Sequence, residues 1–411
     1  MFKFNFSAAD LEFDDPELAN QEQEEDDDDL SKPLQSLSVS SSSSVVLVPA
    51  SQLDLQSKSC LQSLPLTLHY ELAQIPVLNQ GSGAATAIAI DTTTGKEKEI
   101  VTIYKRNLED VKFQIAQEDD DLETAHDEDN KTKDTTKGLG SAEMLALAGT
   151  SDLVKGVYEG GLKTWECALD LVAYLAEQKE NYDGKKVLEL GCGSALPGIY
   201  VLKQSNTVKV DLQDYNDQVL QLVTLPNILL NTCLRPDQQP ARDEVEEEEE
   251  DNKEEKDPDD EDEDEEDADV QEADPADGDF RGVEIDLPDT EAGKLDLVKS
   301  VETHTKLFMG DWSGLVDLMA FKDDADKYDL ILTSETIYSE ESQPKLYATI
   351  KNSLKRGGKA LVAAKTFYFG VGGDILSFRR LVEQDNVFDI KVVFSAQAFV
   401  RREILELTFK A

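Results

Sequence analysis

Lys186-Val-Leu-Glu-Leu-Gly-Cys-Gly-Ser-Ala-Leu-Pro-Gly198 compresses a short apolar strand, a glycine turn and the start of a helix into thirteen residues. Lys186 to Leu190 has the length and composition of a buried strand. Glycines at 191 and 193 follow at once, and glycine in that place allows a tight turn and close approach of backbone to a ligand. Ile199, Val201 and Leu202 predict the helix beyond it. This is not the dinucleotide-binding fingerprint. Counted from Gly191, the sixth position is Leu196, where that fingerprint places a third glycine so that helix can pack on strand. Glu189 lies two residues before the first glycine. A carboxylate there suits a ligand with a cationic amino group better than a pyrophosphate.

Working outward, strands and helices alternate. Leu162, Trp165, Ala168, Leu169, Val172 and Leu175 fall at helical spacing. Val208 to Leu212 predicts a second strand and Val219 to Asn231 a helix. Thr305 to Met309, Tyr328 to Thr333 and Lys359 to Ala364 predict further strands, with helices over 341–355 and 373–384. Such alternation predicts a parallel, doubly wound α/β sheet. Phe388 to Phe394 and Glu403 to Phe409 leave no room for a helix between them, so they predict an antiparallel hairpin. Upstream, Leu64 to Tyr70, Ile100 to Tyr104 and Val111 to Ile115 alternate with period two and predict a small β region.

In such sheets ligands bind at the carboxyl ends of the strands, where strand order reverses. Asp214, just past the second strand, is placed to bind ribose hydroxyls. Asp211 competes, but it lies inside the strand and reads as a solvent-facing residue. Asp311 and Trp312 follow the third strand. The carboxylate suits an adenine amino group, and the indole is either a stacking face or a core residue. Three such groups after three successive strands describe a pocket for an adenosine joined to an amino acid.

The chain has 411 residues with 87 acids against 40 basic side chains, a formal charge of −47. The charge is blocky: residues 10–29 hold 12 acids and no Lys or Arg, 118–130 form a second acidic stretch, and 243–269 hold 21 acids against 2 Lys. These blocks predict disordered segments attached to an ordinary globular core. The balance opposes direct duplex nucleic-acid binding. No run of eighteen apolar residues predicts a membrane span, and the acidic start has no secretory character. Four scattered Cys and three His give neither a disulfide framework nor a zinc site. No metal is expected, and a reducing compartment, cytoplasm or nucleus, is. The expected domains are a disordered acidic and Ser-rich segment over 1–59, a small β region with acidic linker over 60–150, and a main domain over 151–411 interrupted by a disordered acidic insert, 237–296.

Val187-Leu-Glu-Leu-Gly-Cys-Gly193 resembles motif I of the seven-β-strand S-adenosylmethionine-dependent methyltransferases, and the closing hairpin matches their fold. Six further runs sharpen the match: Lys155-Gly-Val-Tyr-Glu-Gly-Gly-Leu-Lys-Thr-Trp-Glu-Cys167, Gln213-Asp-Tyr-Asn216, Thr224-Leu-Pro-Asn227, Gly310-Asp-Trp-Ser313, Thr333-Ser-Glu-Thr-Ile-Tyr338 and Phe367-Tyr-Phe-Gly-Val-Gly-Gly373. Together these resemble the protein-histidine N-methyltransferases that modify a large-subunit ribosomal protein, over about residues 95–411.

The resemblance implies a seven-stranded Rossmann-like sheet and S-adenosylmethionine as cofactor. It implies that Trp165, Glu166 and Cys167 line the methionine side, that Gly191 and Gly193 approach by backbone, and that Gln213 and Asp214 hold the ribose. Gly310, Asp311 and Trp312 would flank adenine, and Ser334 would lie under the sulfonium. Glu335 and Tyr338 would border the substrate channel as catalytic residues, with Glu335 fixing the imidazole tautomer. The expected protein is a monomer acting on a basic ribosomal protein, with the acidic blocks either steering that substrate or only solubilising. A protein-lysine methyltransferase and a non-catalytic acidic binding protein are the alternatives.

Overall fold

Val187 and Leu188 are neighbours in one strand, yet they belong to different hydrophobic cores. The reason is the two-residue period of a strand, which sends alternate side chains to opposite faces. A strand apolar on both faces belongs in the middle of a sheet covered on both sides. The computed structural model describes residues 48–77, 99–115, 160–238 and 283–411. The expectations for 1–47, for the acidic stretch at 118–130 and for residues 239–282 of the insert lie outside the described residues. All described residues fall within one unit, Val46–Ala411.

In chain order the elements are β1 (Ser51–Gln52), α1 (Lys58–Gln62), β2 (Thr67–Pro76), β3 (Ile100–Arg106) and a helix α2 over 108–115. Then come α3 (Glu166–Gln178), β4 (Lys186–Leu190), α4 (Leu196–Leu202), β5 (Lys209–Asp214) and a composite helix α5. Helix α5 runs through Asp217–Val219, a π-helical turn at Leu220–Thr224, and Leu225–Thr232. They are followed by β6 (Val283–Asp286), α6 (Glu291–Glu302), β7 (Leu307–Met309), α7 (Trp312–Met319), β8 (Tyr328–Ser334) and α8 (Gln343–Ser353). The chain closes with β9 (Leu354–Lys365), α9 (Ile375–Asp385), β10 (Phe388–Ala396) and β11 (Arg402–Phe409).

The main sheet has the order β1-β7-β5-β4-β8-β9-β11-β10. From β7 to β9 the strands are parallel, while β11 is antiparallel to both β9 and β10. The predicted hairpin is therefore present. The sheet has eight strands rather than seven, because β1 pairs antiparallel with the outer strand β7. Strand order reverses at β4, with β5 on one side and β8 on the other. One face, with Val187, Leu212, Leu332 and Ala363, packs on Leu171 of α3, Ile199 of α4 and Ile228 of α5. The other, with Leu188, Ile331, Val362 and Leu405, packs on Leu315 of α7, Ile350 of α8 and Phe378 of α9.

Three expectations need correction. Residues 48–59 were expected to lie in a disordered segment, but β1 extends the sheet, Asp311 N donates to Val48 O at 2.9 Å, and Leu55 is buried. Val111–Ile115 was expected as a strand and is part of α2: Val111 and Ile115 are buried while Phe113 is exposed. An i, i+4 apolar pair fits a helix as well as alternation fits a strand, and Asn107 Oδ1 accepts from Glu109 N at 2.8 Å at its start. Finally, residues 283–296 of the expected insert are ordered: β6 pairs with β2, completing a three-stranded sheet β3-β2-β6, and α6 follows. That small sheet is tied to α5, where Arg106 N donates to Asn227 Oδ1 at 2.7 Å and Tyr104 N to Asn231 Oδ1 at 3.1 Å.

Candidate active site

At the reversal point the loop after β4 turns on two glycines with positive φ, Gly191 at 61° and Gly193 at 49°. A Cβ on Gly191 would lie 2.5 Å from Thr336 Cγ2, and one on Gly193 would lie 3.2 Å from Gly161 O. The turn is held from three sides. Gly193 N donates to Asp214 Oδ2 at 2.8 Å, Thr224 Oγ1 donates to Gly193 O at 2.6 Å, and Asn227 Nδ2 donates to Ser194 O at 2.9 Å. Thr224 reaches the loop from the π-helical turn of α5, a feature frequent at functional sites.

Gln213 ends up as a brace. Its Oε1 accepts from Trp312 Nε1 at 2.7 Å and from Gly191 N at 3.2 Å, and its Nε2 donates to Gly310 O at 2.8 Å. One buried amide thus links the loops after β4 and β7. Asp214 is the last residue of β5 and also accepts from Asn216 N at 3.3 Å. Asp211, expected to face solvent, is instead partly buried and accepts from the Tyr328 hydroxyl at 2.7 Å, away from the cradle.

Two further acids expected at the ligand have partners within the chain. Glu189 is 1% exposed, and its Oε2 accepts from Gly198 N at 2.7 Å. Its Oε1 is buried without a hydrogen-bond partner among the described residues. Burial pushes this carboxyl up to about 8, against the Gly198 amide and with the charge of Asp214 adding to it. A Cβ on Gly198 would lie 2.6 Å from Glu189 Oε2 and 2.7 Å from Leu212 Cδ2. Gly198 therefore supplies the close helix-on-strand packing that the missing glycine at 196 would otherwise give. Asp311 caps α7, with Oδ1 accepting from Ser313 N at 2.9 Å, and Oδ2 pairs with Lys345 Nζ at 2.8 Å. Burial works to raise its carboxyl, but the Lys345 ammonium and the Ser313 contacts outweigh it and hold it below the usual range. Gly310 has φ 96°, and a Cβ there would lie 2.4 Å from Pro49 O, so the N-terminal arm walls this side.

The other half of the site gathers around Glu335. This residue follows β8 with φ 56°, a left-handed conformation that costs a non-glycine residue roughly 1–3 kcal/mol and marks functional turns. Its side chain is 5% exposed and lies among Lys365, Cys167 and Tyr368. Lys365 Nζ lies 3.5 Å from Oε1 and 2.7 Å from Glu166 Oε2, and 5.3 Å above the Trp165 ring. Burial raises the Cys167 thiol and the Tyr368 phenol, and the Glu335 charge beside them raises both further. Trp165 Nε1 donates to Gly160 O at 2.9 Å. Ser334 closes β8 opposite Ala363, and the Tyr338 ring meets Tyr368 edge-on at 6.4 Å. Trp165, Glu166, Cys167 and Glu335 therefore converge, as do Gly191, Gly193, Asp214 and Trp312. Lys365 and Tyr368 were missed as site residues. Lys365 ends the apolar run of β9 just as Glu335 follows β8, and that parallel was the available signal. Among the described residues no cluster of His, Cys, Asp and Glu is arranged to hold a metal ion.

The residues fit S-adenosylmethionine, the methyl donor of this class: the glycine cradle has no room for side chains, Asp214 stands at the end of β5, and the Trp312 ring comes within 3.8 Å of a Cβ position on Gly191. Fold and cradle together define a Rossmann-like methyltransferase domain. A family model described as "Lysine methyltransferase" matches residues 151–245. A histidine protein methyltransferase 1 homolog of Bos taurus is 38% identical over 261 residues, 63% of this chain and 58% of its own. Histidine protein methyltransferase 1 of Schizosaccharomyces pombe is 32% identical over 319 residues, 74% of this chain and 76% of its own. That of Saccharomyces cerevisiae is 31% identical, over 68% of each chain. The chain belongs to the histidine protein methyltransferase 1 family. It spans 58% and 59% of the length of the cattle and rat relatives it matches.

Proposed function

We propose that this protein transfers a methyl group from S-adenosylmethionine to a histidine side chain of a basic protein, a protein of the large ribosomal subunit. The observation that carries the reading is Glu335: a buried carboxylate beside the glycine cradle, in a left-handed turn and flanked by Lys365, Cys167 and Tyr368. A buried carboxylate gains from each donor that reaches it, and an imidazole N–H is a fitting one.

The cofactor would supply an electrophilic methyl group on a sulfonium, whose sulfur–methyl bond breaks as the methyl is transferred and which leaves as the neutral thioether S-adenosylhomocysteine. The chain's own residues do the rest. Gly191, Gly193 and Asp214 hold the donor, and Trp312 flanks it. Glu335 accepts a hydrogen bond from one imidazole nitrogen, which fixes the tautomer and points the lone pair of the other nitrogen at the methyl carbon. As the new N–C bond forms, the ring becomes cationic, and the carboxylate stabilises that charge. The ring proton then leaves by way of Glu335 to solvent. Free imidazole is mostly neutral at pH 7, with a pKa of about 6.5, so no strong base is required. Lys365 balances the Glu335 charge before substrate enters.

The acidity of the chain favours a basic partner, with the acidic blocks steering it. The reading further includes a monomer that makes no direct duplex nucleic-acid contact and works in cytoplasm and nucleus. Four free thiols support a reducing compartment. A second reading, methylation of lysine, is favoured by the description of the matching family model. Incubating the protein with methyl-labelled cofactor and stripped large-subunit proteins, then hydrolysing in acid, separates the two. Label in methylhistidine supports the proposal; label in methyllysine alone defeats it.

A further inference from the structure

Three phenylalanines stand in water at the mouth of this site. Phe367 is 50% exposed, Phe369 69% and Phe399 98%. Single exposed apolar residues are ordinary, but a converging group of large ones marks an interaction surface. Phe367 and Phe369 pack edge-on at 4.8 Å, and with Phe399 they line a cavity of about 260 Å³. The cavity also includes Lys365, Tyr368 and Arg402. Lys365 and Tyr368 both neighbour Glu335. The aromatic rim is therefore continuous with the proposed catalytic carboxylate.

The chemistry of the cavity selects its occupant. Its two cations are already spent: Lys365 on Glu166 and Glu335, and Arg402 on Asp170. Glu166, the acid in the lining, is itself paired with Lys365, so what remains to offer is mainly apolar wall. The chain carrying it has a formal charge of −47, which draws a basic polypeptide and repels an acidic one or a second copy of itself. We propose that Phe367, Phe369 and Phe399 dock the acceptor polypeptide by taking an apolar side chain close in sequence to the residue that is methylated. This rests on the reading of the protein as a protein methyltransferase. The aromatic rim fixes the register of the acceptor, and Glu335 then receives the side chain that this register presents.

The test uses two basic synthetic peptides with a central histidine. One has leucine two positions to either side; the other has serine in place of both leucines. Affinity is titrated for the full chain and for a Phe369→Ser/Phe399→Ser variant, with S-adenosylhomocysteine present so that nothing turns over. Burying one leucine corresponds to a preference of about tenfold or more. The unchanged protein is expected to prefer the leucine peptide by that factor, and the variant to bind both peptides alike and weakly. Both rings are exposed, so the unfolding midpoint and cofactor affinity should not move. No preference in the unchanged protein, or the same preference kept by the variant, overturns the proposal. So does light scattering that finds a dimer dissociated by the substitutions, since the rim would then join two copies. Methyl incorporation is read separately on the same peptides. A leucine preference without methylhistidine leaves the docking surface standing and removes the histidine reading.

Discussion

Glu335 carries more of the account than any other residue. It sits in a left-handed turn, is nearly sealed from water, and has Lys365 at 3.5 Å with Cys167 and Tyr368 beside it. A stable protein does not need this arrangement; an imidazole that must be oriented does. Glu335→Gln keeps the shape and removes the charge. The rate should fall about 10- to 1000-fold, the scale of one lost positioning or charge-stabilising contact, while cofactor affinity measured by calorimetry stays nearly constant. Equal loss of cofactor binding would place Glu335 on the donor side. Glu189 behaves differently. Its carboxyl is raised to about 8 by burial, so the folded state holds a proton that the unfolded chain releases near pH 4.3. Stability from this group is full below the unfolded value and is lost as pH rises through about 8. Thermal melts should show the native protein losing midpoint between pH 5 and 8.5 relative to Glu189→Gln, with the two converging at the acid end. Parallel pH curves would mean that Glu189 is ionised throughout.

At the scale of elements, the glycine turn and helix α4 test how tightly strand and helix must meet. Gly198→Ala forces a methyl group into the space of Glu189 Oε2 and Leu212 Cδ2, contacts that would fall under 3 Å. Overpacking of that kind costs about 1–3 kcal/mol, readable as a lower midpoint in urea with an unchanged slope. An unchanged midpoint would show that α4 can slide. The central strands and the closing hairpin were legible because their apolar runs are long and bounded by glycine or charge. The cradle was legible because glycine takes the left-handed φ of Gly191 and Gly193 without strain and lacks the Cβ that would meet Thr336 and Gly161 there. The role of Gln213 was not, since a brace is defined by three partners that are distant in sequence. Nor were the partners of Glu189 and Asp311: which group a carboxylate at a strand end meets depends on the helix beside it. Strands β1 and β6 are two and four residues long. Their pairing comes from distant partners, so period and composition within them say little. Val111–Ile115 misled because its apolar pair fits either period.

For the whole molecule, the charge is the feature the fold does not explain. The ordered sheet needs no acidic block, and 243–269 lies in the chain between α5 and β6. Deleting it should leave the unfolding midpoint and cofactor affinity unchanged. The rate on a basic acceptor should drop at low salt, and the difference should fade as the screening length shrinks from about 10 Å at 0.1 M to about 3 Å at 1 M. Equal rates at low salt would leave the block with a solubilising role only. The central claim, methylation of a histidine in a large-subunit ribosomal protein, is tested most directly in ribosomes. Large subunits purified from cells with and without this protein would be digested and compared by mass spectrometry. One histidine-containing peptide should carry a methyl group only when the protein is present, and should lose it in cells carrying Glu335→Gln. Histidine methylation identical in both sets of ribosomes, or loss of methyllysine instead, would contradict it.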